Sequence, residues 1–294
     1  MKWIRISALL LINSVVLSTY LTAEENEQRR HRRCSADEIQ NQCEPQATIY
    51  VVNQHSNGIL IFDARANSDV SPVRTITGEH TGLGVPSGVA VDAKGNLYVA
   101  NFPFHFGRNA ITVYAPGADG DAFPIRTITG DETKLAGPQG VAVDTDGNLY
   151  VVNDGNQSVT VYPRGADGDV APTRTILDSR IQSPRGLAVD TDGNIYVANT
   201  GSSTITIYDP GKNGRVTPTR TIQGPQTKLQ NPEGVAVDTH GNLYVETDSL
   251  VGNDPPSPRS PFTLLGRTAM SPRRARSLAS GRGYSRAALV WRST

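Results

Sequence analysis

Three of the five histidines stand where their side chains would do chemistry if the fold brought them together: His55, His80 and His105. Imidazoles from separate segments can hold zinc or another divalent ion, and they can move protons near neutral pH. Loop histidines facing solvent are the plainer reading of the same residues. His105 lies in the run Asn101-Phe-Pro-Phe-His-Phe-Gly-Arg108, where Phe102, Phe104 and Phe106 place three of the six phenylalanines in one short stretch. Such a stretch either folds back over apolar surface or presents a contact patch, to which Arg108 adds a donor for an anion or a carbohydrate. Phe102, Phe104, His105, Phe106 and Arg108 are therefore the candidate ligand- or partner-binding residues.

Other groups have simpler readings. Asp144-Thr-Asp146-Gly147-Asn148 and Asp190-Thr-Asp192-Gly193-Asn194 look like the start of a calcium loop, but Gly155 and Gly201 stand where the bidentate glutamate is needed. Short side chains that accept backbone N–H bonds and tolerate left-handed φ account for both, and for Asp119-Gly120-Asp121 and Asp167-Gly168-Asp169. No cofactor is required by these motifs; a divalent metal, zinc or calcium, is what a histidine trio would take. Cys34 and Cys43 are the two cysteines, and export would favour a disulfide between them over two thiols.

The elements that must position these residues repeat. Gly-(Val/Leu)-Ala-Val-Asp begins at Gly88, Gly140, Gly186 and Gly234, each copy preceded by Pro-x, with a period of about 48 residues. A Gly-Asn turn and (Leu/Ile)-Tyr-Val follow, with Tyr98, Tyr150, Tyr196 and Tyr244, and an earlier example at Tyr50. A third run ends at Phe62, Tyr114, Tyr162 and Tyr208, and a fourth begins at Arg74, Arg126, Arg174 and Arg220. Four short strands per period, two of them joined by a tight turn, predict one antiparallel blade. A blade cannot bury both faces alone, so a fixed period of this size predicts a β-propeller. The small Gly and Ala of each first strand suit the crowded axis, and the tyrosines supply packing between blades rather than catalytic phenols.

The strings Pro138-Gln-Gly-Val-Ala-Val-Asp144, Gly147-Asn-Leu-Tyr-Val151 and Val159-Thr-Val-Tyr162 resemble the NHL-type repeat and related extracytoplasmic propellers, from about Tyr50 to Val245. The resemblance implies fold rather than activity, since the matched residues are scaffold. It also offers a precedent of metal-dependent lyases and lactonases whose site residues come from upper loops around the axis, although no repeat position matches those sites residue by residue. Strand alternation puts the loops before the first strand and after the second on one face. His55, His80 and His105 are expected there, together with Asn53, Asn101, Asn153 and Asn199, read as Asx-type turns.

The expected organisation is a signal peptide over residues 1–23, a basic Cys-containing linker over 24–47, the propeller over 48–250, and an Arg/Pro/Ser-rich tail over 251–294 that is expected to be disordered. Lys2 and Arg5 precede an apolar run from Ile6 to Leu21, which reads as an export signal and hence a secreted or periplasmic protein. An uncleaved membrane anchor is the alternative, and no stable span is expected after cleavage. The net charge of zero hides fourteen basic against twenty-five acidic residues over 35–254, which disfavours a nucleic-acid partner. Beyond Asp254 the tail carries eight arginines and no acidic residue, and the repeat is lost after Val245. The expected fold is thus all-β, a propeller of four-stranded antiparallel blades with about five represented, incomplete or open, ending in a non-repeat tail. The favoured function is a non-enzymatic binding or scaffold module for a protein, peptide or carbohydrate, the alternative a metal-dependent lyase or lactonase-type propeller using the upper-face histidines.

Overall fold

A computed structural model describes residues 15–21, 47–102, 109–247, 263–265 and 287–293, with side chains described for 47–102 and 109–247. The apolar run of the N-terminus supplies β1 (Val15–Leu21). The first sheet then takes β2 (Thr48–Asn53), β3 (Gly58–Asp63) and β4 (Arg74–Ile76). The second holds β5 (Pro86–Val91), β6 (Leu97–Asn101), β7 (Ala110–Tyr114) and β8 (Arg126–Thr129). The third holds β9 (Pro138–Val143), β10 (Leu149–Asn153), β11 (Ser158–Tyr162) and β12 (Arg174–Leu177). The fourth holds β13 (Pro184–Val189), β14 (Ile195–Asn199) and β15 (Thr204–Tyr208); β16 (Gly214–Arg215) leaves it to pair with β12, and β17 (Arg220–Ile222) closes it. The fifth holds β18 (Pro232–Val237), β19 (Leu243–Thr247) and β20 (Thr263–Leu265). Finally β21 (Ala287–Ser293) pairs antiparallel with β2, in the place of the first sheet's missing inner strand, and parallel with β1.

The architecture is all-β, five sheets in a propeller-like series, as the repeat predicts, and the series is open: the fifth sheet has three strands among the described residues. No described helix is long and apolar enough to cross a membrane. Cys34, Cys43, Phe104, His105, Phe106 and Arg108 lie outside the described residues, as do most of the signal segment, the linker and the tail.

Packing occurs between consecutive sheets. Val52, Ile59, Ile61 and Ile76 of the first meet Val89, Leu97 and Tyr114 of the second. Ala90, Tyr98 and Ile111 meet Val141, Leu149 and Tyr162, and equivalent clusters join the third to the fourth and the fourth to the fifth. Burying each such side chain contributes about 1.5–3 kcal/mol, so each sheet is stable only against its neighbours. At the inner strands the backbones themselves touch. A Cβ on Gly88 would stand 2.3 Å from the carbonyl oxygen of Gln139, one on Gly140 2.5 Å from that of Arg185, and one on Gly186 2.7 Å from that of Glu233. The glycines of these three first strands are a steric requirement of the axis.

Three signature residues of the repeat form one network. Asp92, Asp144, Asp190 and Asp238 each take the N–H of the asparagine four residues on at 2.8 Å, closing the turn between first and second strands. The other carboxylate oxygen bonds the hydroxyl of Tyr98, Tyr150, Tyr196 or Tyr244 at 3.0–3.4 Å. Those hydroxyls accept from Arg126 (3.1 Å), Arg174 (3.0 Å) and Arg220 (3.5 Å) of the fourth strands. The aspartates are thereby consumed as turn residues. At Asp238 burial disfavours the charge, but bonds from Asn242, the His240 backbone and Tyr244 outweigh it and lower the pKa.

A second device works at the outer rim. The loop between third and fourth strands reaches back to the outermost strand of the preceding sheet. Gly120 exchanges bonds with Thr75 and Thr77 (2.8 and 3.0 Å), and Gly168 with Thr127 and Thr129 (2.9 and 3.1 Å). Asp119, Asp167 and Asn213 accept the outward N–H of Thr75, Thr127 and Thr175 at 2.8–2.9 Å. Asp121 and Asp169 then seat their carboxylates over Gly78 and Gly130, where a Cβ would be 2.3 and 2.2 Å away. The Asp-Gly-Asp motif is a latch between sheets as well as a turn.

Gly130, at φ +129 and against Asp169, is therefore irreplaceable. Gly130→Ala is expected to destabilise the protein by about 2 kcal/mol or more through overpacking and strain, measured by denaturant unfolding. Burial pushes the hydroxyls of Tyr114 and Tyr162 up to about 12. Because the folded values lie above the unfolded one, this stability is complete below the ordinary tyrosine pKa of about 10 and lost as pH rises through about 12. Tyr114→Phe is expected to flatten the fall in melting temperature over that interval.

Candidate functional site

The one position of the first strand that changes in polarity, size and charge from copy to copy is the x of Pro-x-Gly: Ser87, Gln139, Arg185 and Glu233. Ladder register slips beside it in all four sheets, so each x residue is bulged out of regular pairing. Bulges re-aim side chains and recur beside functional sites. The inner glycine contacts place the four bulges side by side along consecutive inner strands, at one axial end.

Their environments differ. Ser87 is buried and tied down, its Oγ 2.8 Å from the carbonyl of Pro138 and 3.1 Å from that of Gln139. Gln139 is buried, while Arg185 and Glu233 are half-buried. The Nε–H of Arg185 is buried without an acceptor among the described residues.

Opposite the bulge of the fourth sheet lies Asn199, paired with Pro184. In the second and third sheets the equivalent asparagines are braces: Asn101 Oδ1 accepts the N–H of Gly84 (3.0 Å) and Asn153 Oδ1 that of Ala136 (3.1 Å). Asn199 still donates through Nδ2 to Val197 and Thr206, at 3.2 and 3.0 Å, but its buried Oδ1 receives nothing from the described residues. The connection into the fourth sheet is shorter; the Gly201 N–H of the 3-10 turn at Thr200–Ser202 still bonds the Gln182 carbonyl at 3.1 Å, as Gly155 bonds Ala136 at 2.9 Å, but without the asparagine brace. The Asx reading of these residues thus becomes a brace between connection and strand, with Asn199 as the departure.

One buried donor and one buried acceptor are therefore unpaired at the same end of one sheet. Each such group costs about 1–3 kcal/mol. A bound hydroxyl or carboxylate would satisfy them. Asp154, half-buried after β10, makes no side-chain hydrogen bond among the described residues, and its N–H is held by Gly137 at 3.0 Å. Phe102, after β6, folds back over the next sheet: its ring carbon would be 3.0 Å from a Cβ on Gly137. Phe102 is half-buried there, and its N–H donates to Val85 at 3.1 Å.

The histidines occupy other ground. His55 is exposed at the turn after β2. His80 sits at the outer rim, its Nδ1 2.6 Å from Asp121 Oδ2 and its ring centroid 4.7 Å from that of Phe123. The connection that carries it folds down between sheets, so that Thr81 is wholly buried and its carbonyl accepts from Tyr114 at 2.6 Å. The bonds from His80 lower the pKa of Asp121. His105 lies outside the described residues. No three His, Cys, Asp or Glu come together among the described residues, and at the axial end the Arg185 guanidinium repels a cation.

The profile of one protein family, "SMP-30/Gluconolactonase/LRE-like region", matches residues 124–217, which include Gln139, Asp154, Arg185 and Asn199. No curated protein matches the chain. Solved structures similar to it include a protein of unknown function from Bacteroides caccae, at 14% identity and TM-score 0.49, covering 68% of this chain and 65% of that one. A functionally unknown protein from Desulfotomaculum acetoxidans gives 15% and 0.49, covering 71% and 64%. A catalytically inactive virginiamycin B lyase from Staphylococcus aureus with quinupristin gives 14% and 0.48, covering 69% and 60%. The chain spans less than two thirds of the length of each of these structures.

The family match corrects two expectations. The assignment to the NHL-type repeat is replaced by similarity to the SMP-30/gluconolactonase-like region, because the quoted motifs are the glycines, turn residues and tyrosines that join four-stranded blades and do not distinguish propeller families. The preference for a non-enzymatic binding module falls with it, since the matching description includes gluconolactonase. Sequence reading overlooked the bulge residues. Their signal was there: a polar position that changes from copy to copy inside an invariant apolar strand.

Arg185 and Arg126 should respond oppositely to neutralisation. Arg126→Met breaks the bond to Tyr98 and is expected to cost about 1–3 kcal/mol, whereas Arg185→Met removes an unpaired donor and is expected to leave stability unchanged or raised. Thermal and urea unfolding of the two variants checks this.

Proposed function

We propose that this chain is a lactonase-type propeller enzyme that binds a small hydroxylated cyclic ester at the axial end of its inner strands and hydrolyses it. The observation that carries the reading is the pair of unpaired groups, Arg185 Nε and Asn199 Oδ1, inside the segment that resembles the gluconolactonase-like region. Their chemistry is complementary to such a substrate: the guanidinium donates to the ester carbonyl, and the amide oxygen accepts from a ring hydroxyl.

Hydrolysis needs water, a base and a stabiliser of the oxyanion. Asp154, whose side chain makes no hydrogen bond among the described residues, takes a proton from water as the water oxygen adds to the carbonyl carbon. Arg185 bonds the oxyanion that develops. The ring C–O bond then breaks, the departing alkoxide recovers the proton from Asp154, and a hydroxy acid leaves. Phe102, folded over the same rim, excludes bulk water. No step requires a metal at this site.

Proton release from a panel of sugar lactones, glucono-1,5-lactone first, tests the reading. Wild-type protein is expected to exceed the spontaneous rate, and Arg185→Met to lower kcat about 10²–10³-fold, as loss of one oxyanion donor does. A wild-type rate no faster than spontaneous hydrolysis across the panel would refute it.

A further inference from the structure

The rim latches leave one socket and one plug without partners among the described residues. Each internal socket is the outer strand of one sheet, and each internal plug comes from the loop of the next. The strand of the fourth sheet, β17, has no such visitor: the outward N–H of Thr221 and the N–H of Gln223 bond nothing described, where Thr75 and Thr77, or Thr127 and Thr129, are clasped. Gly224 stands where Gly78 and Gly130 stand, at φ +100, yet a Cβ there would meet nothing within 4 Å. Its cradle is formed and holds no atom of the described residues. Ile222 is half-exposed although Ile76, Ile128 and Ile176 are fully buried, and Arg220 is exposed although Arg74, Arg126 and Arg174 are not.

The first sheet carries the matching plug. Asn67-Ser68-Asp69 occupies the place of Asp119-Gly120-Asp121, and Ser68 holds φ +65, beside +62, +69 and +74 at Gly120, Gly168 and Gly214. A serine held in the left-handed region has taken the latch conformation with no partner sheet among the described residues. All three residues are exposed. Val70, the next residue, is 44% exposed, while Val170 and Val216 at the same place pack against the core of the preceding sheet.

We infer that the plug of one copy of this chain docks in the socket of a second copy, with Ser68 bridging the outer edge of β17, Asp69 seated over Gly224, and Val70 covering Ile222. The chemistry selects this socket. Of the four outer strands, three carry the glycine that admits a carboxylate, and Gly78 and Gly130 are already filled. The remaining socket carries Asp178 in place of the glycine and meets Arg215 in place of the acid. Geometry permits the approach, because the latch strand β16 lies in the same sheet as β12 and extends its edge rather than stacking on its face. Two copies exchanging plugs make a closed dimer with two identical contacts.

Light scattering of the full chain over a concentration series tests the inference. A concentration-dependent dimer is expected, dissociating at least tenfold more readily in Asp69→Lys and in Gly224→Val. Both variants alter exposed positions, and circular dichroism checks that they fold. Mixing the two variants restores one contact of the pair, so the mixture is expected to associate where each alone does not. A wild-type monomer at every concentration, or a dimer indifferent to both substitutions, would overturn the proposal. So would a monomer that instead binds a synthetic Asn-Gly-Asp-Val peptide at Gly224, since the socket would then belong to a foreign partner.

Discussion

Everything in this protein depends on the inability of a four-stranded sheet to bury both of its faces. Each sheet is held by its neighbours at three radii. At the axis, glycine lets the backbone of one inner strand touch the next. In the middle, tyrosines and branched aliphatics fill the gap. At the rim, an Asx-Gly loop crosses to the preceding outer strand and completes its hydrogen bonding. A change at any radius is felt by two sheets, because the packed space belongs to both. The same dependence explains why the end of the repeat matters: where the series stops, half of each device is left over.

The constant residues of the repeat are spent on these joints. The aspartate of the first strand, the tyrosine of the second and the arginine of the fourth bond one another, and the buried tyrosines of the third hold the connections through Thr81 and Thr133. What remains for chemistry lies where copies differ. Arg185 and Asn199 stand on adjacent strands of the fourth sheet, where Asn199 Oδ1 lacks the N–H that braces the equivalent asparagines among the described residues. Unpaired buried groups oppose folding, and a binding site is the setting in which they are retained.

Much of the fold is legible in the sequence because a period of about 48 residues with turn glycines and alternating tyrosines has few physical solutions. The crowding at Gly140 and the turn role of Asp144 are legible for the same reason: each is a local consequence of strand and turn geometry. The rim latches are not, since nothing local in Asp119-Gly120-Asp121 says that it will clasp Thr75, 44 residues earlier. The same limit applies to His80, which idealised alternation sets on the upper face and the connection folds down toward Asp121 at the rim. The bulge residues were readable as variation, but variation in a repeat also marks ordinary surface. Their meaning needed Arg185 and Asn199 to be seen without partners.

The central claim is that the axial bulges, and Arg185 above all, form the working site. A crystal soaked with gluconate, the hydroxy acid that lactone opening would release, addresses it most directly. The account predicts the carboxylate within hydrogen-bond distance of Arg185 Nε and a hydroxyl on Asn199 Oδ1, with no such density in Arg185→Met. Density that instead sits at the His80 and Asp121 rim, or gluconate unmoved by the substitution, would contradict it.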